Sequence, residues 1–256
     1  MTNPAVEKYG WTAAPRKVEL LLQQSEASGP AKPISASSIK LPDSALVKAI
    51  HEYAKKELAI ETFNHSMRVY YYGNISTISL CNKSLTQLLG QAILSHAFPS
   101  WSSPSFDETY FLSCLLHDIG TTDKNITATL MSFEFYGGLL ALDLLKAHHA
   151  PIEQAENVAE TVIRHQDLGE TGTLTRIAAL IQLATIFDNM GGNPQLVDGK
   201  TIESVVDAYP RMKWSGCFAK TIRKENSLKP WAHTTHLGEE DFPNGVAGNK
   251  LMEPYD

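Results

Sequence analysis

The sequence predicts a single all-α domain over about residues 42–192, preceded by an arm and linker (1–41) and followed by an extension (193–256) that covers it. Three observations lead there. Apolar side chains recur at helical spacing through most of that span. Three of the resulting helices are apolar on nearly every side, as helices buried in a core are. A chain of 256 residues, with 43% hydrophobic content and a formal charge of −6, suffices for one good core with appendages.

In the arm, residues 17–24 read as a short helix, and Gly29-Pro30, Pro33 and the SASS run at 35–38 as a polar, turn-rich linker. Trp11 is expected to dock on the helical body or on a neighbouring subunit, because a tryptophan left in water wastes its apolar area. Pro42-Asp43-Ser44 opens a helix to about Leu58, with Leu46, Val47, Ile50, Tyr53 and Ala54 at helical spacing. Thr62 is placed to cap the next helix, which carries His65. Residues 84–97 read as an amphipathic helix, and 98–108 as a loop whose Phe98, Trp101 and Phe106 pack beneath it or roof a pocket.

Residues 112–123, LSCLLHDIGTTD, form an apolar helical segment carrying His117 and Asp118. Neighbours on a helix project about 100° apart, so the two reach one ion only near a helix end. Gly120 suits such an end through left-handed closure. Ser132 is placed to cap a helix with Phe133, Gly137, Leu140 and Leu144 on its apolar face, and Pro151 opens another that delivers His165 at its end. In 174–190, Asp188 shares a face with Ile181 and Ala184, so its carboxylate points into the core. Beyond Gly191 the pattern weakens to a loop, a helix over about 202–208, and a tail expected to cover the core or an interface.

A carboxylate among apolar helices costs on the order of several kcal/mol unless something compensates it. Each polar residue alone has an ordinary explanation, such as a satisfied core histidine or a capping aspartate. His65, His117, Asp118 and Asp188 together point to a divalent cation. Two imidazoles and two carboxylates suit zinc, iron or manganese better than calcium or magnesium. Arg68 neutralises a carboxylate near the site or makes a surface salt bridge. Glu134 belongs to the site or faces its helix dipole. Thr185 bonds a substrate or its own helix carbonyl, and Asn189 orients a ligand. His165 reads as a third imidazole ligand, a proton-transfer group or a helix-terminal histidine, with an active-site role short of ligation favoured. His233 and His236 are spaced i, i+3, with no nearby cysteine or carboxylate to complete a second metal site.

The pattern His65, His117-Asp118, Asp188 resembles the HD-domain metalloenzymes, an all-helical superfamily with many phosphohydrolases. The longer strings NHSMRVYYYG (64–73), CLLHDIGTT (114–122), MSFEFYGG (131–138), IRHQDLG (163–169), QLATIFDNMG (182–191) and KPWAHTTH (229–236), with GWTAAP at 10–15, look like the fungal cyanamide hydratases. The resemblance covers nearly the whole chain. It implies an HD-domain helical bundle in which His65, His117, Asp118 and Asp188 hold one divalent metal, zinc ahead of iron or manganese. It also implies hydration of cyanamide to urea by a metal-bound hydroxide, with Asp118 handling protons, His165 assisting and Thr185 orienting the substrate. HD phosphohydrolases often carry a lysine just after the Gly, where this chain has Thr121, and multi-metal members a histidine where it has Glu134. Both departures favour one metal and a substrate without phosphate. A phosphohydrolase and a non-catalytic, metal-stabilised binding module stay open as alternatives.

Composition narrows the partners. The acidic balance argues against nucleic acid. No signal peptide or membrane span is expected, since the longest apolar run, 177–187, has eleven residues and is broken by Gln182. Cys81, Cys114 and Cys217 read as reduced cytosolic thiols, hence a cytoplasmic protein. Trp11, Trp214 and Trp231 on docking segments suggest a homo-oligomer.

Overall fold

Short polar residues start the helices that build the core. The Ser44 hydroxyl accepts from the Val47 amide at 3.1 Å, Ser103 from Phe106 at 3.2 Å and Thr175 from Ala178 at 3.1 Å. Each satisfies an amide that the first helical turn leaves without a partner. The computed structural model describes residues 3–73 and 93–256. In order they form α1 (Pro4–Lys8), β1 (Ala13–Pro15), α2 (Val18–Leu22), α3 (Ala45–Glu57), α4 (Ile60–Gly73), α5 (Ile93–Ala97), α6 (Pro104–Leu116) and α7 (Asp123–Thr127). There follow α8 (Phe133–Ala147), α9 (Ile152–Arg164), β2 (Thr173–Thr175), α10 (Arg176–Met190), α11 (Gly199–Ala208), α12 (Trp214–Leu228) and α13 (Asp241–Ala247). The architecture is all-α, with one two-stranded ribbon.

α10 is the axis of the core. From Ile177 to Asn189 every side chain except Ile186 is buried, and the helix packs against α4, α6 and α9. α4 is buried from Thr62 to Gly73. α8 lies along α9, where a Cβ on Gly138 would come within 2.4 Å of Ile163, so glycine sets how close the two helices run. Three helices around α10 thus carry His65, His117 with Asp118, and His165.

Several local expectations are corrected. α4 starts at Ile60, so Thr62 lies inside it and does not cap it. Pro104 at the first turn and Ser103 at the cap begin α6 within the stretch expected to be a loop. Ser132 sits at the N-cap of α8 without bonding that helix; its hydroxyl accepts from the His233 amide at 2.8 Å, and the Phe133 amide donates to Glu225 at 2.7 Å. Gly120 does not adopt a left-handed conformation. A Cβ there would come within 2.1 Å of the Phe133 carbonyl oxygen, so glycine is required by close approach. The helix expected over 84–97 lies outside the described residues apart from α5, as does Cys81.

Both terminal segments pack on the helices. β1 pairs antiparallel with β2, Ala14 opposite Leu174. Trp11 Nε1 donates to the Glu153 carbonyl at 2.8 Å and Asn157 Nδ2 to the Tyr9 carbonyl at 2.6 Å, so Trp11 docks on its own chain. At the other end α12, which periodicity did not reveal, follows Met212 and Lys213, both with positive φ. Trp214, Phe218, Ala219 and Ile222 of α12, Phe242 and Val246 of α13, and Phe133 make a second, smaller core. Among the described residues Cys114 and Cys217 are free, and no helix is long and apolar enough to cross a membrane.

Candidate metal centre

Asp118 is wholly buried, and its ion-pair partners among the described residues are three histidines. α6 ends at Leu116, so His117 is the C-cap and Asp118 already leaves the helix (φ −102°, ψ 13°). That break turns both side chains of the pair to one point. Asp118 Oδ2 lies 3.3 Å from His117 Nε2 and 3.7 Å from His65 Nε2, and Oδ1 lies 3.7 Å from His165 Nε2. His65, His117 and Asp118 have ligand atoms all within 4.8 Å of one another.

The far edges of the three rings are all engaged. His117 Nδ1 donates to the Cys114 carbonyl at 2.8 Å, His165 Nδ1 to the Val162 carbonyl at 2.7 Å, and His65 Nδ1 to Asp188 Oδ2 at 2.6 Å. A carbonyl or a deprotonated carboxylate can only accept, so Nδ1 of each ring carries a proton and, where the ring is neutral, the Nε2 lone pair faces Asp118. His65 Nε2 and His117 Nε2 stand 3.2 Å apart. Two lone pairs at that distance repel unless a proton or a metal ion lies between them. His165 Nε2 and both Asp118 oxygens are buried with no hydrogen-bond partner among the described residues. Three imidazole nitrogens and an unpaired carboxylate fit a divalent transition metal.

Titration reflects the same crowding. Burial pushes His165 down to about 4, with His117 adding to the shift. Burial also takes His65 down to about 4, against the opposing pull of Asp188. For His117, burial is outweighed by Asp118, and its pKa rises. Asp118 is held below the usual carboxylate range because the three histidines overcome its burial.

Asp188 comes to the site on the other edge of His65. Arg68 Nε donates to its Oδ1 at 3.0 Å and Nη2 to its Oδ2 at 2.9 Å, while Arg211 Nη1 donates to Oδ1 at 2.8 Å. Arg211 is fixed in turn by Asp256, at 2.8 Å. The two guanidinium groups overcome burial and hold Asp188 deprotonated. The sequence pattern placed Asp188 among the ligands, but its charge is already matched. Thr185 donates to the Ile181 carbonyl at 2.9 Å, and Asn189 Oδ1 accepts from Trp214 Nε1 at 2.7 Å. Both line a small pocket that His165 also touches. Glu134 is buried, accepts from Thr234 at 2.7 Å and lies 3.5 Å from His233, near enough to His165 for its charge to be felt there.

The chain is 38% identical over 245 residues to two yeast proteins, the cyanamide hydratases DDI2 and DDI3 of Saccharomyces cerevisiae, covering 95% of this chain and 98% of each relative. It belongs to the cyanamide hydratase family. No family model matches the chain.

For this cyanamide hydratase family member, sequence reasoning missed what the extension brings. Trp214 stacks on His65 with ring centroids 4.3 Å apart, and Phe218 stacks on Trp214 at 5.0 Å. Arg211 and Trp214 lie beyond the periodic helices, so no spacing links them to His65. The statement that no carboxylate meets His233 and His236 is also corrected: Asp167 lies beside them. Arg16 and Arg164 already pair with Asp167, at 2.6 and 2.9 Å, which leaves it little charge for a metal.

Proposed function

We propose that this chain hydrates cyanamide to urea at one divalent ion, zinc by preference, held by His65, His117, Asp118 and His165. The observation that carries this reading is the unpaired Asp118 carboxylate facing three Nε2 atoms whose Nδ1 partners are already spent. On this assignment His165 replaces Asp188 as the fourth ligand, and Asp188 orients His65. A metal there supplies Lewis acidity, which lowers the pKa of a bound water from about 15.7 toward about 7.

Protein groups do the remainder. In the reaction the water oxygen bonds the nitrile carbon, both C–N π bonds are lost in succession as the C=O bond forms, and both water hydrogens finish on the former nitrile nitrogen. Asp118 Oδ1, without a hydrogen-bond partner among the described residues, would take a water proton and pass it to that nitrogen. Thr185 spends its only proton on Ile181, so its oxygen presents lone pairs to the cyanamide amino group. Trp214 fixes the Asn189 carbonyl oxygen, which leaves the amide NH₂ as a donor to the nitrogen where charge gathers. Trp214 and Phe218 cover the site and keep bulk water out. Among the described residues no lysine or arginine lines the pocket at His165, which suits a small neutral substrate better than a phosphate ester.

Urea formation from cyanamide by purified protein tests the reading, beside a chelated sample and Asp118→Asn, with metal measured on each batch. Urea that appears only with metal and with Asp118 supports it. Full metal content without urea refutes it.

A further inference from the structure

We infer that Phe242 and Leu237, both supplied by the C-terminal extension, set the largest nitrile that reaches the metal centre. The inference rests on the hydratase reading above. Two openings approach the site. One is a surface cleft of about 780 Å³ beside Thr62, Thr121 and Cys217, lined by none of the four proposed ligands. The other touches His165 and is far smaller, about 10 Å³, near the minimum that holds one water. Its floor is His165, Thr185 and Asn189; its walls include Met190, Leu237 and Phe242.

Polar groups at the floor and apolar side chains at the wall select a small molecule with a polar reacting end. The two wall residues are held differently. Phe242 is buried and packs edge-on to Phe218 at 6.4 Å, the outermost member of a row that continues through Trp214 to His65. It is a fixed wall. Leu237 is only partly buried, at the end of the short turn His233–Leu237, where Thr234 anchors to Glu134 at 2.7 Å. Cyanamide needs more room than one water, so Leu237 shifts outward to admit it, and the turn that Thr234 anchors to Glu134 limits how far. A substrate one methyl larger meets Phe242, and a pocket typically discriminates about 10–200-fold per methylene.

The test compares kcat/KM for cyanamide and methylcyanamide, whose hydration gives urea and methylurea by the same addition of water, in metal-loaded wild type, Phe242→Ala and Leu237→Ala. In the wild type cyanamide is preferred. In both variants the methylcyanamide-to-cyanamide ratio rises about tenfold or more. A ratio unchanged from wild type in a folded, metal-replete variant that still makes urea overturns the inference. If Phe242→Ala fails to fold, Leu237→Ala decides alone, since Leu237 is only partly buried and packs on the edge of the smaller core. Failure of the hydratase reading is separately visible, because metal-loaded wild type then makes no urea at all.

Discussion

Asp118 and Asp188 are both wholly buried, yet Asp188 meets two guanidinium groups and an imidazole N–H, while Asp118 meets only the Nε2 edges of three imidazoles. The two carboxylates have the same chemistry and the same burial. What separates them is whether their charge is already matched by the chain. A carboxylate paired with two arginines has little left to offer a cation, whereas one facing imidazole edges without a hydrogen bond keeps its oxygens open to a metal. On the proposed assignment Asp118 is the ligand that needs metal, and Asp188 holds His65 in the correct tautomer.

Substitution should split the two sites. Asp118→Asn is expected to cost the most activity, about 10²–10⁴-fold in kcat, with bound metal lost as well. The metal-free form of that variant should lose some stability, because the three histidines favour the Asp118 carboxylate in the fold, but less than Asp188→Asn loses. Asp188→Asn should cost more, destabilising the metal-free protein by about 3–5 kcal/mol by stripping Arg68 and Arg211 of their partner. Thermal melts of both variants after chelation check this contrast. Equal destabilisation by the two would break it.

Acid sharpens the comparison next. His65 and His165 are pushed down to about 4 in the fold, below the ordinary histidine value of 6.5. The native state therefore holds them neutral while the unfolded chain takes up protons first. Their contribution to stability is complete above about pH 6.5 and is lost as pH falls through 6.5 toward 4. Metal-free protein should lose melting temperature over that window. His165→Ala should flatten part of the slope. The smallest effect is expected at Asp256→Ala, about 1 kcal/mol or less, because this partner of Arg211 is partly exposed and Asp188 remains to pair the guanidinium.

The parts of this site legible in sequence were those on periodic helices. His65, His117-Asp118, His165 and Asp188 stood out because polar residues interrupt apolar runs on α4, α6, α9 and α10. The all-α core followed from the same periodicity. Which side of His65 Asp188 occupies could not be seen, because it depends on Arg211, 23 residues further on and behind the left-handed Met212-Lys213 turn. Trp214 and Phe242 were hidden for a related reason, since their small core forms between the tail and Phe133 of α8. The ribbon between β1 and β2 escaped notice because three residues per strand carry too short a pattern to read.

X-ray absorption at the edge of whichever metal the purified protein carries tests the central assignment most directly, in wild type, His165→Ala and Asp188→Asn. Three imidazoles and one carboxylate are expected around the ion in wild type, with one imidazole lost in His165→Ala and the set unchanged in Asp188→Asn wherever metal is retained. Two imidazoles in wild type, with a shell that changes only in Asp188→Asn, would contradict the account and return Asp188 to the ligand set.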